Sequence, residues 1–145
     1  MSNINTTFST KNSYSQALFE LASEDNSINE IENQISSILQ LIAKNRDFKD
    51  LIKDPTNKIE DQLKVMNIIS DRFKFNELLK KFLGFVVSKR RFFYIEKILY
   101  NFLSICSNSR GEVQAELYVA KDLNESEINN IKEELSTTFG SNIKL

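Results

Sequence analysis

The chain has 145 residues, of which 41% are hydrophobic and 27% charged, with a formal net charge of −1. That composition fits one ordinary soluble domain, or a domain with a small appendage, and gives no strong pull toward nucleic acid or an anionic membrane surface. There is no histidine and only one cysteine, Cys106. Ser-His and Cys-His dyads, an internal disulfide and a Cys/His metal cluster are therefore excluded.

Three glycines and one proline leave little turn punctuation, which favours long helices over a many-stranded sandwich. Met1 to Asn5 has neither a basic leader nor an apolar core, so no secretory signal is expected. The longest apolar run, Phe82 to Val87, is too short to span a bilayer.

From about Thr10 to Ser23, Tyr14, Ala17, Leu18, Leu21 and Ala22 follow the helical spacing. A second helix, from about Ser27 to Lys44, carries Ile28, Ile31, Ile35, Ile38, Leu39 and Ile42, and Ser27 with Glu30 reads as a capping box. A short third helix with Phe48, Leu51 and Ile52 must stop before Pro55. The fourth carries Ile59, Leu63, Met66 and Ile69. The fifth runs from about Phe75 to Ser88, and the sixth from about Arg91 to Ser107.

After Arg110-Gly111 the period changes. Val113, Ala115, Leu117 and Val119 alternate with Gln114, Glu116 and Tyr118, as in a half-buried strand. A helix capped by Asn124, with Glu127 three residues on, then carries Ile128, Ile131, Leu135 and Phe139 up to Gly140, and Asn142 to Leu145 reads as the start of another strand. The expected architecture is mainly α: a six-helix bundle over 1–109, followed by an incomplete small β/α domain over 110–145.

Catalytic chemistry finds little footing. Gly84, Gly111 and Gly140 are too dispersed for a phosphate-cradling loop. Glu133-Glu134 reads as a solvated helix face, and Cys106, on an apolar stripe, as a small buried hydrophobe. No cofactor, metal or catalytic residue is expected. The basic cluster Lys89-Arg90-Arg91, with Lys80 and Lys81 upstream, reads as a helix–helix corner, with nucleic acid as the rival reading.

The informative excess is apolar width. A surface helix needs an apolar stripe little wider than about 100°. The fifth helix is apolar over roughly 200°, from Phe85 and Leu78 round to Leu83 and Val87, and Phe19 broadens the first. The sixth helix is wider still and reads as central. Some apolar surface on helices one and five is therefore expected to receive a partner helix.

The residues Tyr14-Ser-Gln-Ala17-Leu18-Phe19-Glu-Leu21-Ala22 resemble the opening helix of the delta subunit family of bacterial F-type ATP synthase, the mitochondrial oligomycin-sensitivity-conferring protein. Phe82 to Phe92 is similar to the family's corner between helices five and six, and Arg110-Gly111 to Ala115 resembles the entry to its second domain. Ser15 and Lys89 depart from the pattern, and the family's later glycine pair and strands have no counterpart before Leu145. The resemblance therefore implies a C-terminally shortened member.

It further implies a non-catalytic stator subunit, peripheral to the cytoplasmic face of the bacterial inner membrane. Such a subunit links the catalytic head to the stalk and resists rotational torque. Its bundle would receive the N-terminal helix of an alpha subunit between helices one and five, and its C-terminal domain, if complete, would hold b-type stalk subunits. The expected groove residues are Tyr14, Ala17, Leu18 and Leu21 with Leu78, Phe82, Phe85 and Val86, and Lys89, Arg90 or Lys81 would form rim pairs contributing about 0–1 kcal/mol each. A general helical adaptor remains the other protein-binding alternative.

Overall fold

The computed structural model describes residues 2–111 and 125–136, with side chains described from Ser13 in the first range and from Ser126 in the second. The described chain is mainly helical. Its helices are α1 (Ser2–Glu24), α2 (Ile28–Lys44), α3 (Arg46–Lys53), α4 (Ile59–Arg72), α5 (Glu77–Ser88), α6 (Ile95–Ser109) and α7 (Glu125–Glu134). No strand occurs among the described residues. The expected strands over 112–120 and 142–145, the Asn124 cap and the Gly140 stop all lie outside them.

Sequence chemistry explains several helix starts. The Asn45 side chain accepts from the Phe48 N–H at 3.0 Å to open α3, and the Asn76 side chain accepts from the Leu78 N–H at 2.8 Å to open α5. The capping box expected at Ser27 does not form. The Ser27 N–H instead donates to the Ala22 carbonyl, closing α1, and the Ser27 hydroxyl is buried without a partner among the described residues. Glu30 reaches across to accept from the Asn76 side chain at 3.0 Å, so it ties α2 to the start of α5.

Helix ends reuse one device. Asn26, Lys74 and Arg90 adopt φ of 56°, 55° and 61° just after α1, α4 and α5. In each case the following N–H bonds back to the fifth carbonyl before it: Ser27 to Ala22, Phe75 to Ser70, Arg91 to Val86. This is the Schellman closure, built here on residues other than glycine. Helix α3 ends differently: Asp54 is extended at ψ 110°, as Pro55 requires.

The corner before α6 is tighter than the sequence pattern indicates. Phe92–Tyr94 forms a 3₁₀ turn that buries Phe92 and leaves Phe93 56% exposed. In the core, α1 packs against α6, α7 and α2, while α4 packs against α5. Phe82, Phe85, Phe102 and Leu18 are among the largest fully buried side chains.

Lys74 carries the steric strain of a left-handed residue, about 1–2 kcal/mol, which glycine escapes at a smaller entropic loss. Lys74→Gly is expected to raise unfolding stability by about 0.5–1 kcal/mol, read as a higher urea midpoint with unchanged slope. A lower midpoint would show that the lysine side chain outweighs its backbone strain.

Candidate functional site

The structure sorts the first helix by its neighbours, which a helical wheel alone does not do. Toward α6, the buried Ser15 hydroxyl donates to the Ile98 carbonyl at 2.6 Å, and the Phe19 ring lies 6.3 Å from Phe102. Toward α5, the Tyr14 ring sits 6.5 Å from Phe82 and 5.9 Å from Phe85. Toward α7, Ser13 donates to Glu127, and Glu20 and Glu24 accept from Lys132 at 3.0 and 3.2 Å. Positions 13, 17, 20 and 24 form one helical stripe, so Ala17 stands in the middle of the side that meets α7.

Every apolar residue proposed for the groove is buried: Ala17, Leu18, Phe82 and Val86 are 0% exposed, Leu21 and Phe85 1%, Leu78 2% and Tyr14 6%. Apolar width on α1 and α5 is thus not open surface in this structure. Part of the cover on α1 is α7, where Ile128, Ile131 and Leu135 are 4%, 6% and 0% exposed. Their i, i+3, i+7 spacing is the apolar stripe of a short amphipathic helix laid along α1.

Charges frame this seam. Lys89, at the end of α5, bonds Glu134 at 2.7 Å and stands 5.6 Å over the Phe85 ring. Burial raises the Tyr14 phenol above its usual pKa, Arg91 opposes the shift, and Glu134 and Glu127 add to it. Burial works against the charge of Lys132, but its bonds to Glu20 and Glu24 prevail and its pKa lies above the usual lysine value.

The other singled-out residues resolve individually. Cys106 is 0% exposed on α6; burial, aided by Glu32 and opposed by Arg110, pushes its thiol to about 12. A nucleophile needs the opposite shift. Within the basic cluster, Lys89 pairs with Glu134, and Lys80 upstream pairs with Asp71 at 2.7 Å. Among the described residues no group of His, Cys, Asp and Glu could hold a metal ion.

One feature is missing from the sequence reading. A groove of about 470 Å³ lies between α2, α3 and α4, lined in part by Leu41, Phe48, Leu51, Val65, Ile68 and Phe73. Ile68 is 58% and Phe73 49% exposed. The available signal was Ile68, which falls off the apolar stripe of Leu63, Met66 and Ile69.

These features describe a helical protein whose most developed surface chemistry is a helix seated on a helix, framed by ion pairs. The family model of the ATP synthase delta (OSCP) subunit matches residues 10–145. The ATP synthase subunit delta of Pelagibacter ubique (strain HTCC1062) is 61% identical over 132 residues, covering 91% of this chain and 71% of that protein. The corresponding subunit of Brucella suis biovar 1 (strain 1330) is 30% identical over 132 residues, with the same coverage. No solved structure matches.

The chain belongs to the ATP synthase delta (OSCP) subunit family. It is accordingly a non-catalytic stator component, peripheral within the synthase complex. Among the described residues no helix is long and apolar enough to cross a membrane.

The raised Cys106 pKa carries a signed consequence. The folded state holds the thiol proton more tightly than the unfolded chain, so this contribution is complete below the ordinary thiol value of 9.0 and is lost as pH climbs toward about 12. Stability of the wild type should fall over that window more steeply than that of Cys106→Ala, as followed by urea midpoints across alkaline pH. In the native protein the thiol should also resist a thiol-specific reagent that labels it at once in denaturing urea; rapid native labelling would contradict the burial.

Proposed function

We propose that this chain links the catalytic head of ATP synthase to its peripheral stalk and resists the torque of rotation. Residues 1–109, as a six-helix bundle, form the head-side unit. Residues 110–145 belong to a small β/α domain that contacts b-type stalk subunits. The complex works at the cytoplasmic face of the bacterial inner membrane. The head-side partner is the N-terminal helix of an alpha subunit, received along α1 and α5 by Tyr14, Ala17, Leu18, Leu21, Leu78, Phe82, Phe85 and Val86, with Lys89 at the rim.

Family membership supports the stator assignment. The observation that carries the partner face is the small residue Ala17 at the centre of an α1 side that accepts an apolar helix. A methyl group there lets another backbone approach closely, and the Tyr14–Phe82–Phe85 aromatic group gives the adjoining side, toward α5, a stiff apolar floor. The ionisable group in this floor, the Tyr14 phenol, is held protonated by burial, so the face suits attachment rather than reaction.

The test is titration with a synthetic peptide of the cognate alpha subunit's N-terminal helix, followed by calorimetry or fluorescence anisotropy. Binding at about 10 μM or tighter, with a weak salt dependence, is expected for an apolar groove. Ala17→Leu should weaken it about tenfold or more while leaving helical content intact, because the added carbons occupy the approach space. No binding at several hundred micromolar peptide would overturn the partner assignment, and a steep loss between low and moderate salt would favour a phosphate-backbone ligand instead.

A further inference from the structure

Helix α7 has the properties of a ligand bound to α1. It is ten residues long, short enough that in isolation it would not hold a helical form in water. Its helicity therefore depends on where it docks. Docking is by three apolar anchors, Ile128, Ile131 and Leu135, and by ion pairs and a hydrogen bond that fix its register: Glu127 to Ser13, Lys132 to Glu20 and Glu24, Glu134 to Lys89. The polar contacts among these fall on the stripe of Ser13, Glu20 and Glu24 on α1 or at the end of α5.

We propose that α7 is a built-in occupant of the face that receives the partner helix, and that the partner binds by displacing it. The inference rests on the partner reading above and adds its regulation. One face cannot hold two helices on the same stripe. The seam also states what a displacing helix must carry: apolar residues at i, i+3 and i+7, a basic residue beside the middle anchor to meet Glu20 and Glu24, and an acidic one near the last anchor to meet Lys89.

The pairs that hold α7 join amines to carboxylates at 2.7–3.2 Å, so a zero-length carbodiimide reagent can convert them to amide bonds in the native chain. The amide forms between the lysine nitrogen and the activated carboxyl carbon, with the activating urea leaving. Peptide mapping by mass spectrometry should find Lys132 joined to Glu20 or Glu24, and Lys89 joined to Glu134. The pairs Lys80–Asp71 and Lys53–Glu96 lie away from α7 and act as internal controls.

Saturating alpha-subunit peptide should abolish the α7 links and leave the Lys80–Asp71 link in place. Lys132→Glu, which sets a like charge against Glu20 and Glu24, should tighten peptide binding about threefold to tenfold. The displacement proposal is overturned if the α7 links persist under saturating, independently measured peptide binding; the partner reading then survives with a different seat. It is equally overturned if the α7 links never form while the control link does, or if Lys132→Glu leaves affinity unchanged. Failure of the peptide to bind either protein removes the partner reading and the displacement with it.

Discussion

Helix α1 is the constraint on which the other helices depend, because it meets α6, α5, α2 and α7 on different sides of one cylinder. A helix so enclosed needs small residues where backbones come close and must satisfy any polar group it carries inward. Ala17 and Ala22 are both fully buried. Ser15, also fully buried, meets the second demand by donating to the Ile98 carbonyl. That bond accounts for a serine at a position where the family pattern differs: the hydroxyl has a partner on α6. Lys89, the other departure, is likewise engaged, with Glu134 on α7 and the Phe85 ring below it.

Helix positions were legible in the sequence because apolar residues at 3.6-residue spacing record which side of each helix is buried. Helix ends were less so. Asn26, Lys74 and Arg90 take the left-handed conformation that glycine usually signals, so a scarcity of glycine says little here about where helices stop. The Ser27–Glu30 motif fails for a tertiary reason. Its N–H is already committed to Ala22, and Glu30 has a more distant acceptor role at Asn76. Local patterns compete with contacts that a sequence does not display.

The same distinction governs the candidate face. Excess apolar width on α1 and α5 was readable residue by residue, and so was the Ile128–Ile131–Leu135 stripe of α7. That one helix seats on the other was not readable, because each stripe fits many partners and periodicity carries no information about pairing. The width that seemed surplus to a bundle ending at residue 109 is partly taken up by α7 inside the same chain. Of the exposed apolar side chains, Ile68 and Phe73 line the groove between α2, α3 and α4.

The contrast between the two long contacts of α1 shows why the α7 seam is the one that can exchange. Against α6, α1 has a fully buried hydrogen bond and an aromatic pair; exchanging α6 for an apolar helix would leave the Ser15 hydroxyl buried without its acceptor. Against α7, the ion pairs involve partly exposed groups, Lys89 and Glu134 at 42% and 46% and Lys132 at 22%, while the buried Ser13 hydroxyl adds one hydrogen bond to Glu127. Water can solvate each of these charges when α7 leaves, and such exposed pairs contribute only about 0–1 kcal/mol apiece. The apolar stripe and an acceptor for the Ser13 hydroxyl then need a replacement, and another amphipathic helix with a polar flank supplies both. A face covered in this way can keep its apolar floor away from solvent and still accept a partner.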